Sequence, residues 1–163
     1  MSSDPILFRT AEPADGEALE RLEREAWNEH NTPEPDRSGV VFGVRIPFAD
    51  TIVACSGARI VGYVAIGQRT PFASNRHIGL VRAIVVDPRA RRAGIGFGLL
   101  AHAEREGSAR GFEALRLTVM ATNDQALALY RKAGWSELGR YPDEFHVGGR
   151  SIDDVLMGKR LVE

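Results

Sequence analysis

The residues best suited to chemistry lie where an apolar run gives way to a basic, glycine-rich turn. Ile84-Val85-Val86 ends the run, Asp87-Pro88 follows, and Arg91-x-x-Gly94-x-Gly96 leads into a helical pattern. The first turn of a helix leaves backbone N–H groups without intrahelical partners, and the helix dipole adds partial positive charge there. Glycines let a ligand approach the backbone closely, and arginines add fork-shaped donors. The pattern therefore predicts an anion site that is best matched to phosphate.

Two common phosphate motifs do not fit this turn. A Walker loop requires a lysine followed by Ser or Thr, whereas Gly98 is followed by Leu99. The dinucleotide fingerprint requires its third glycine one residue later than Gly98. The plainer alternative is that these glycines only allow a helix to pack tightly on a sheet.

A second block follows a strand-like run that contains Leu117-x-Val119. It reads Asn123-x-x-Ala126-x-x-Leu129-Tyr130-x-Lys132-x-Gly134-Trp135. Asn123 and Tyr130 are two helical turns apart, so they share a helix face.

Periodicity and turn residues predict the elements that must position the two blocks. Strands are predicted at 6–10, 51–55, 59–66, 77–86, 114–119, 135–147 and 150–161. Helices are predicted from Pro13 to Trp27, from Arg92 to about Arg110 and from Asn123 to Ala133. Residues 28–48 contain several prolines and glycines and are predicted to be mostly loop.

Together, the two blocks resemble the GCN5-related N-acetyltransferases (GNAT family). The resemblance covers most of residues 4–161 and is weakest over the 28–48 loop. It implies an α/β (α+β layered) acyl-CoA N-acyltransferase fold: a mixed, mostly antiparallel sheet of roughly six or seven strands, flanked by about four helices. We expect residues 1–163 to form a single N-acetyltransferase domain.

The resemblance also implies the reaction, in which a primary amine of a small molecule or peptide attacks the thioester of acetyl-CoA by direct transfer in a ternary complex. Tyr130 would be the general acid to the thiolate; its alternative role is a half-buried aromatic residue with a solvated hydroxyl. Asn123 would bond the pantetheine arm; its alternative role is a helix N-cap. The implied acetyl-CoA-binding residues are Ile84, Val85, Val86, Arg91, Arg92, Ala93, Gly94, Ile95, Gly96, Phe97 and Asn123.

The general base is left open by the sequence. Many GNAT relatives carry a Glu at the position that Leu80 occupies in this chain. The Leu80 side chain cannot accept a proton. His77, Glu144, His146 and a water chain remain candidates. The remaining histidines lack metal-ligand spacing, so no metal is predicted.

Composition and charge limit the kinds of partner that we expect for the chain. The chain has 163 residues, a formal net charge of −1 and one cysteine, and no apolar run long enough to cross a membrane. We expect a cytoplasmic monomer or homodimer with no nucleic-acid or membrane partner. The acidic excess between Glu12 and Asp36 could favour a cationic acceptor or could only solvate a helix.

Three other functions compete with N-acetyl transfer. They are transfer of a longer acyl group or to oxygen, a catalytically silent acyl-CoA-binding or sensor module, and a nucleic-acid module that uses the Arg76–Arg92 patch. The patch lacks interleaved aromatic residues, which disfavours the last of these.

Overall fold

The computed structural model describes residues 4–34 and 39–162. Its seven strands are β1 (Ile6–Thr10), β2 (Thr51–Ser56), β3 (Arg59–Gln68), β4 (Ile78–Val86), β5 (Ala114–Met120), β6 (Ser136–Val147) and β7 (Arg150–Arg160). Its α-helices are α1 (Gly16–Ala26), α2 (Ile95–Ala109) and α3 (Asp124–Lys132). Short 3-10 turns lie at Pro13–Asp15, Phe48–Asp50, Ala73–Asn75 and Pro88–Ala90.

The strands form a mixed sheet in the order β1-β2-β3-β4-β5-β7-β6. The β1–β2, β2–β3, β5–β7 and β6–β7 pairs are antiparallel, whereas β4 pairs with β5 in parallel. The predicted mixed, mostly antiparallel α/β layered fold is therefore confirmed.

The chain divides into two compact units. Of the described residues, the first unit holds 4–26, 39–67 and 81–106, and the second unit holds 27–34, 68–80 and 107–162. That residues 1–163 act as one acetyltransferase domain stays a prediction.

The first unit is organised around the face that α1 turns to the sheet. Leu19 and Leu22 are buried there and join a core cluster that includes Val53 and Tyr63. Burying apolar side chains at helical spacing is what holds such a helix in place.

The second half of the predicted 28–48 loop is anchored to α1. Val41, Phe42 and Ile46 are buried, and the carboxylate of Glu20 accepts hydrogen bonds from the backbone N–H groups of Val41 (2.6 Å) and Phe42 (2.9 Å). The first half contains residues 35–38, which lie outside the described residues.

The second unit is built on the β6–β7 hairpin, which turns at Gly148-Gly149. Both glycines have positive φ angles, 58° and 74°, which L side chains rarely adopt. Strand β5 pairs with β7, and its residues Leu115, Leu117 and Val119 are buried.

Candidate active site

The basic turn before α2 has a left-handed backbone at two positions. Arg92 has φ 67° and Gly94 has φ 75°. The helix predicted from Arg92 therefore begins only at Ile95, because a right-handed helix cannot pass through a left-handed residue. Its first backbone bond runs from the Gly98 N–H to the Gly94 carbonyl (3.0 Å). The N–H groups of residues 95–97 thus form the open first turn.

The glycines in and near this turn have different structural roles. Within residues 4–34 and 39–162, no atom lies within 4 Å of a Cβ placed on Gly94, so its backbone is open to a ligand. A Cβ on Gly98 would lie 2.5 Å from Cζ of Phe8, so Gly98 serves close packing. A Cβ on Gly62 would lie 2.9 Å from the Val85 carbonyl oxygen and 3.3 Å from Cγ2 of Ile95, so this glycine lets β3 pack against the start of α2. The packing role of glycine is therefore present at Gly62 and Gly98, and a phosphate-binding role of Gly94 stays a prediction.

A buried aspartate, Asp87, fixes the start of the turn. It is 2% exposed, and its carboxylate accepts bonds from the Arg89 backbone N–H (2.8 Å) and from the guanidinium of Arg59 (2.7 Å). The Arg89 guanidinium contacts both Asp87 (3.1 Å) and Glu25 of α1 (2.7 Å). Burial alone would raise the pKa of Asp87, but the Arg89 N–H and the two guanidinium groups outweigh burial and hold that pKa below its ordinary value.

The strand end that precedes Asp87 is less buried than the core. Ile84, Val85 and Val86 are half-buried, and the Asp87 N–H donates to the Val61 carbonyl (2.9 Å). Arg91, Arg92 and Ala93 are exposed, and Phe97 is 46% exposed. Gly94 is also exposed and Gly96 is half-buried, whereas Ile95 is buried, so the predicted pyrophosphate residues are accessible except for the side chain of Ile95.

Asn123 caps α3 in the second unit. Its side-chain oxygen accepts a hydrogen bond from the Ala126 N–H (3.2 Å), so the N-cap role considered from the sequence is present. A bond from its amide to a pantetheine arm stays a prediction.

Tyr130 lies further along the same helix and is buried, with 5% exposure. Its ring is tilted against Trp135, with centroids 6.0 Å apart. Burial raises the pKa of the phenol above its ordinary value. Burial thus makes the phenol a weaker acid, and its role as general acid stays a prediction. The half-buried position considered as the alternative does not match this buried side chain.

The predicted base candidates are all exposed and lie in the second unit. His77 precedes β4, and Glu144 and His146 lie on β6. Leu80 is aligned with Arg116 in the β4–β5 register.

A carboxylate that the sequence analysis did not single out as a base lies near Glu144. Asp154 of β7 is 8% exposed, and its pKa is raised, first by burial and also by the charge of Glu144, against a hydrogen bond from the Thr118 hydroxyl. The available signal was an aspartate pair, Asp153-Asp154, inside an apolar strand. Elevation of a carboxyl pKa makes the group a better proton acceptor.

Neither a metal centre nor a membrane-spanning helix is found within residues 4–34 and 39–162. No group of three or more His, Cys, Asp or Glu side chains in that part of the chain could hold a metal ion. No helix there is long and apolar enough to cross a membrane.

The model of the acetyltransferase (GNAT) family matches residues 16–135. The chain belongs to the GNAT family. This confirms the resemblance inferred from the two sequence blocks.

Curated relatives of this GNAT chain are longer than the segments that it matches. An uncharacterized protein of Mycobacterium leprae is 31% identical over 162 residues, which is 95% of this chain and 41% of that protein. The N-alpha-acetyltransferase RimI of Mycobacterium tuberculosis is 37% identical over 106 residues, which is 63% of this chain and 62% of that protein. The chain therefore spans less than two thirds of the length of these relatives.

A solved structure shares the fold of this GNAT chain. The yncA protein of Salmonella typhimurium, solved with its cofactor acetyl-CoA, superposes with a TM-score of 0.79. The match covers 98% of this chain and 96% of that chain at 19% identity, which shows a common fold.

Proposed function

We propose that residues 1–163 form one N-acetyltransferase domain, which moves an acetyl group from acetyl-CoA to a primary amine of a small molecule or peptide. The observation that carries the proposal is the open turn at Arg92–Gly94, where two left-handed residues precede the first helical turn. No atom of the described part of the chain lies within 4 Å of a Cβ on Gly94, which fits the close approach of a pyrophosphate.

The residues of the first unit bind the donor in this proposal. The N–H groups and arginines of residues 91–97 hold the pyrophosphate, and the backbone of Ile84, Val85 and Val86 pairs with the amides of the pantetheine arm. Asp87 positions the turn, because its carboxylate ties Arg89 and Arg59 together at the end of β4.

The proton transfers are assigned to the second unit. The amine nitrogen bonds to the acetyl carbonyl carbon, the carbon–sulfur bond breaks, and direct transfer in a ternary complex needs no covalent enzyme intermediate. Tyr130 gives its proton to the leaving thiolate, and the amine gives one up to a base. His77, Glu144, His146 or water could accept that proton, and the buried carboxyl of Asp154 joins them as a candidate.

Calorimetry with acetyl-CoA and CoA tests donor binding. We expect the wild type to bind both ligands and Gly94→Asp to lose binding, because the substitution adds a negative charge to the turn and forces an L side chain to φ 75°. Gly111→Asp is the matched control, since Gly111 also has a positive φ (84°) and open space around its Cβ position. No binding to a folded wild type, or equal loss in both variants, would contradict the proposal.

Tyr130→Phe separates an enzyme from a silent acyl-CoA sensor. An enzyme should lose about 10²-fold or more in kcat at nearly unchanged CoA affinity, the usual contribution of a general acid. A sensor has no turnover to lose, so thiol release at background level in the wild type, with CoA still bound, would favour the sensor.

A further inference from the structure

Three arginines lie close together at one end of the sheet of the second unit. The register pairs Leu80 with Arg116 and Ala114 with Arg160. Ala114 and Arg116 are two residues apart on β5, so their side chains and the side chain of Arg160 leave the same sheet face. Arg69 lies beside the start of β4, where its N–H donates to the Ile78 carbonyl (3.3 Å). We call Arg69, Arg116 and Arg160 the arginine cluster.

The Arg116 side chain packs against a glycine of β7. Its register partner on that strand is Gly158, and a Cβ on Gly158 would lie 2.8 Å from Nη1 and 3.0 Å from Cδ of Arg116. The side chain therefore lies across the strand at a position where any larger residue would displace it. Nη1 also donates to the Leu115 carbonyl (3.1 Å).

The cluster carries positive charge that is not matched internally. Within residues 4–34 and 39–162, no carboxylate forms an ion pair with Arg69, Arg116 or Arg160. Burial, and then the charges of the other two arginines, lower the pKa of Arg116. The positive charge of Arg116 is therefore disfavoured where it lies, and a bound anion would offset that cost.

The acids that could have attracted a cationic acceptor are used elsewhere. Asp15 accepts two bonds from Arg9, Glu25 pairs with Arg89, Glu20 holds the backbone of residues 41–42, and the buried Glu23 accepts from the Tyr63 hydroxyl. Four of the nine acids between Glu12 and Asp36 thus have partners inside the first unit.

The cluster is adjacent to the reaction position that the family resemblance implies. Many GNAT relatives carry a Glu at the position of Leu80, and Leu80 is aligned with Arg116 on the parallel strand β5. Paired strands lie about 4.8 Å apart, and the Arg116 side chain lies over Gly158 of β7, on the other side of β5 from Leu80. An anion on Arg116 would therefore lie about two strand spacings, about 10 Å, from an amine at Leu80.

We propose that the arginine cluster binds an anionic group of the acceptor, which is therefore an amine that also carries a carboxylate or a phosphate. This inference rests on the proposed acetyltransferase function. Arginine forks bind either group through two parallel hydrogen bonds, and a neutral peptide terminus or a polyamine offers them no charge partner.

Matched acceptors test the inference by thiol release. The carboxylate pairs are amino acids against their amides, and the phosphate pair is phosphoethanolamine against ethanolamine. We expect the anionic member of one type of pair to have at least about tenfold higher kcat/KM, the usual value of a charge-assisted hydrogen bond. Arg116→Gln should remove that advantage and leave the KM for acetyl-CoA unchanged, with exposed Arg150→Gln as the control. Equal rates within every pair, or an advantage that survives Arg116→Gln, would overturn the inference.

A binding measurement separates failure of this inference from failure of the proposed function. In the Gly94→Asp background, which disables the phosphate turn, malonate or inorganic phosphate should raise Tm over chloride at equal ionic strength. Adding Arg116→Gln or Arg160→Gln should abolish the increase, and persistence of the increase counts against the cluster. If the wild type binds no acetyl-CoA but the anions still raise Tm through the arginine cluster, the proposed acetyltransferase function is refuted and the anion site is not. Salt-sensitive retention of an RNA oligomer that depends on Arg116, without discrimination between acceptors, would replace the small acceptor by a nucleic acid.

Discussion

In the first unit Asp87 is buried between two arginines, whereas in the second unit Asp154 is buried beside a threonine hydroxyl and near another acid. The pKa of Asp87 is lowered and that of Asp154 is raised. Arg59 is paired, whereas Arg116 has a lowered pKa among other arginines. Paired charges stabilise a fixed backbone, whereas charged groups without an opposite charge beside them in the described residues are suited to bind a ligand or a proton.

The largest effect on this contrast is expected from Asp87→Ala. Removing the carboxylate takes away the Asp87 partner of Arg59, leaves Arg89 with Glu25, and leaves the turn without its cap. We expect a loss of about 2–3 kcal/mol in the free energy of unfolding, at the lower end for a broken buried pair because both arginines can turn to solvent. Urea denaturation measures the loss, and calorimetry should show weaker acetyl-CoA binding. An unchanged urea midpoint would show that Asp87 does not hold the turn in place.

The opposite sign is expected for Asp154→Asn. Because the folded-state pKa is raised, the stability linked to protonation of Asp154 is present at low pH and lost as pH rises through that pKa. At pH 7 the amide should therefore be more stable than the carboxylate, by about 1 kcal/mol. The same urea experiment decides this, and a clear loss of stability at pH 7 would contradict the raised pKa. If Asp154 is also the base, kcat falls while CoA affinity is kept.

The pH dependence of the same two variants sharpens the comparison. Asp87 has a lowered pKa, so its stability contribution is present above the ordinary aspartate pKa and is lost as pH falls through the folded value. The gap between wild type and Asp87→Ala should therefore close in acid, below about pH 4. The advantage of Asp154→Asn should also vanish in acid, but from a higher pH. If the stability difference from wild type changes with pH in the same way for both variants, the two aspartates do not have opposite pKa shifts.

A smaller contrast is expected between two arginine variants. Arg59→Gln removes a partner of a buried carboxylate and should cost about 1 kcal/mol, because the Arg59 side chain is 54% exposed. Arg116→Gln removes an unmatched charge and should be neutral or slightly stabilising. Thermal unfolding without added anions compares them, and a larger loss for Arg116→Gln would mean that its charge is satisfied within the fold.

Local sequence patterns predicted the strands, the three helices and the basic turn, because these depend on periodicity and on nearby glycines and prolines. The start of α2 was misplaced, since the left-handed backbone at Arg92 is not marked by its residue type. The partners of Asp87, Asp154 and Arg116 could not be predicted, because they depend on strand register between distant segments. Whether the predicted catalytic residues act as proposed stays a prediction.

The packing of Phe8 against Gly98 has a consequence for the history of the chain. The aromatic ring occupies the volume that any side chain at position 98 would need. Substitutions at the two positions are therefore not independent: a methyl group at 98 requires the ring of Phe8 to move or to be exchanged for a smaller side chain. Across descendants of this sequence, the first strand and the second helix should vary as a linked pair at this point.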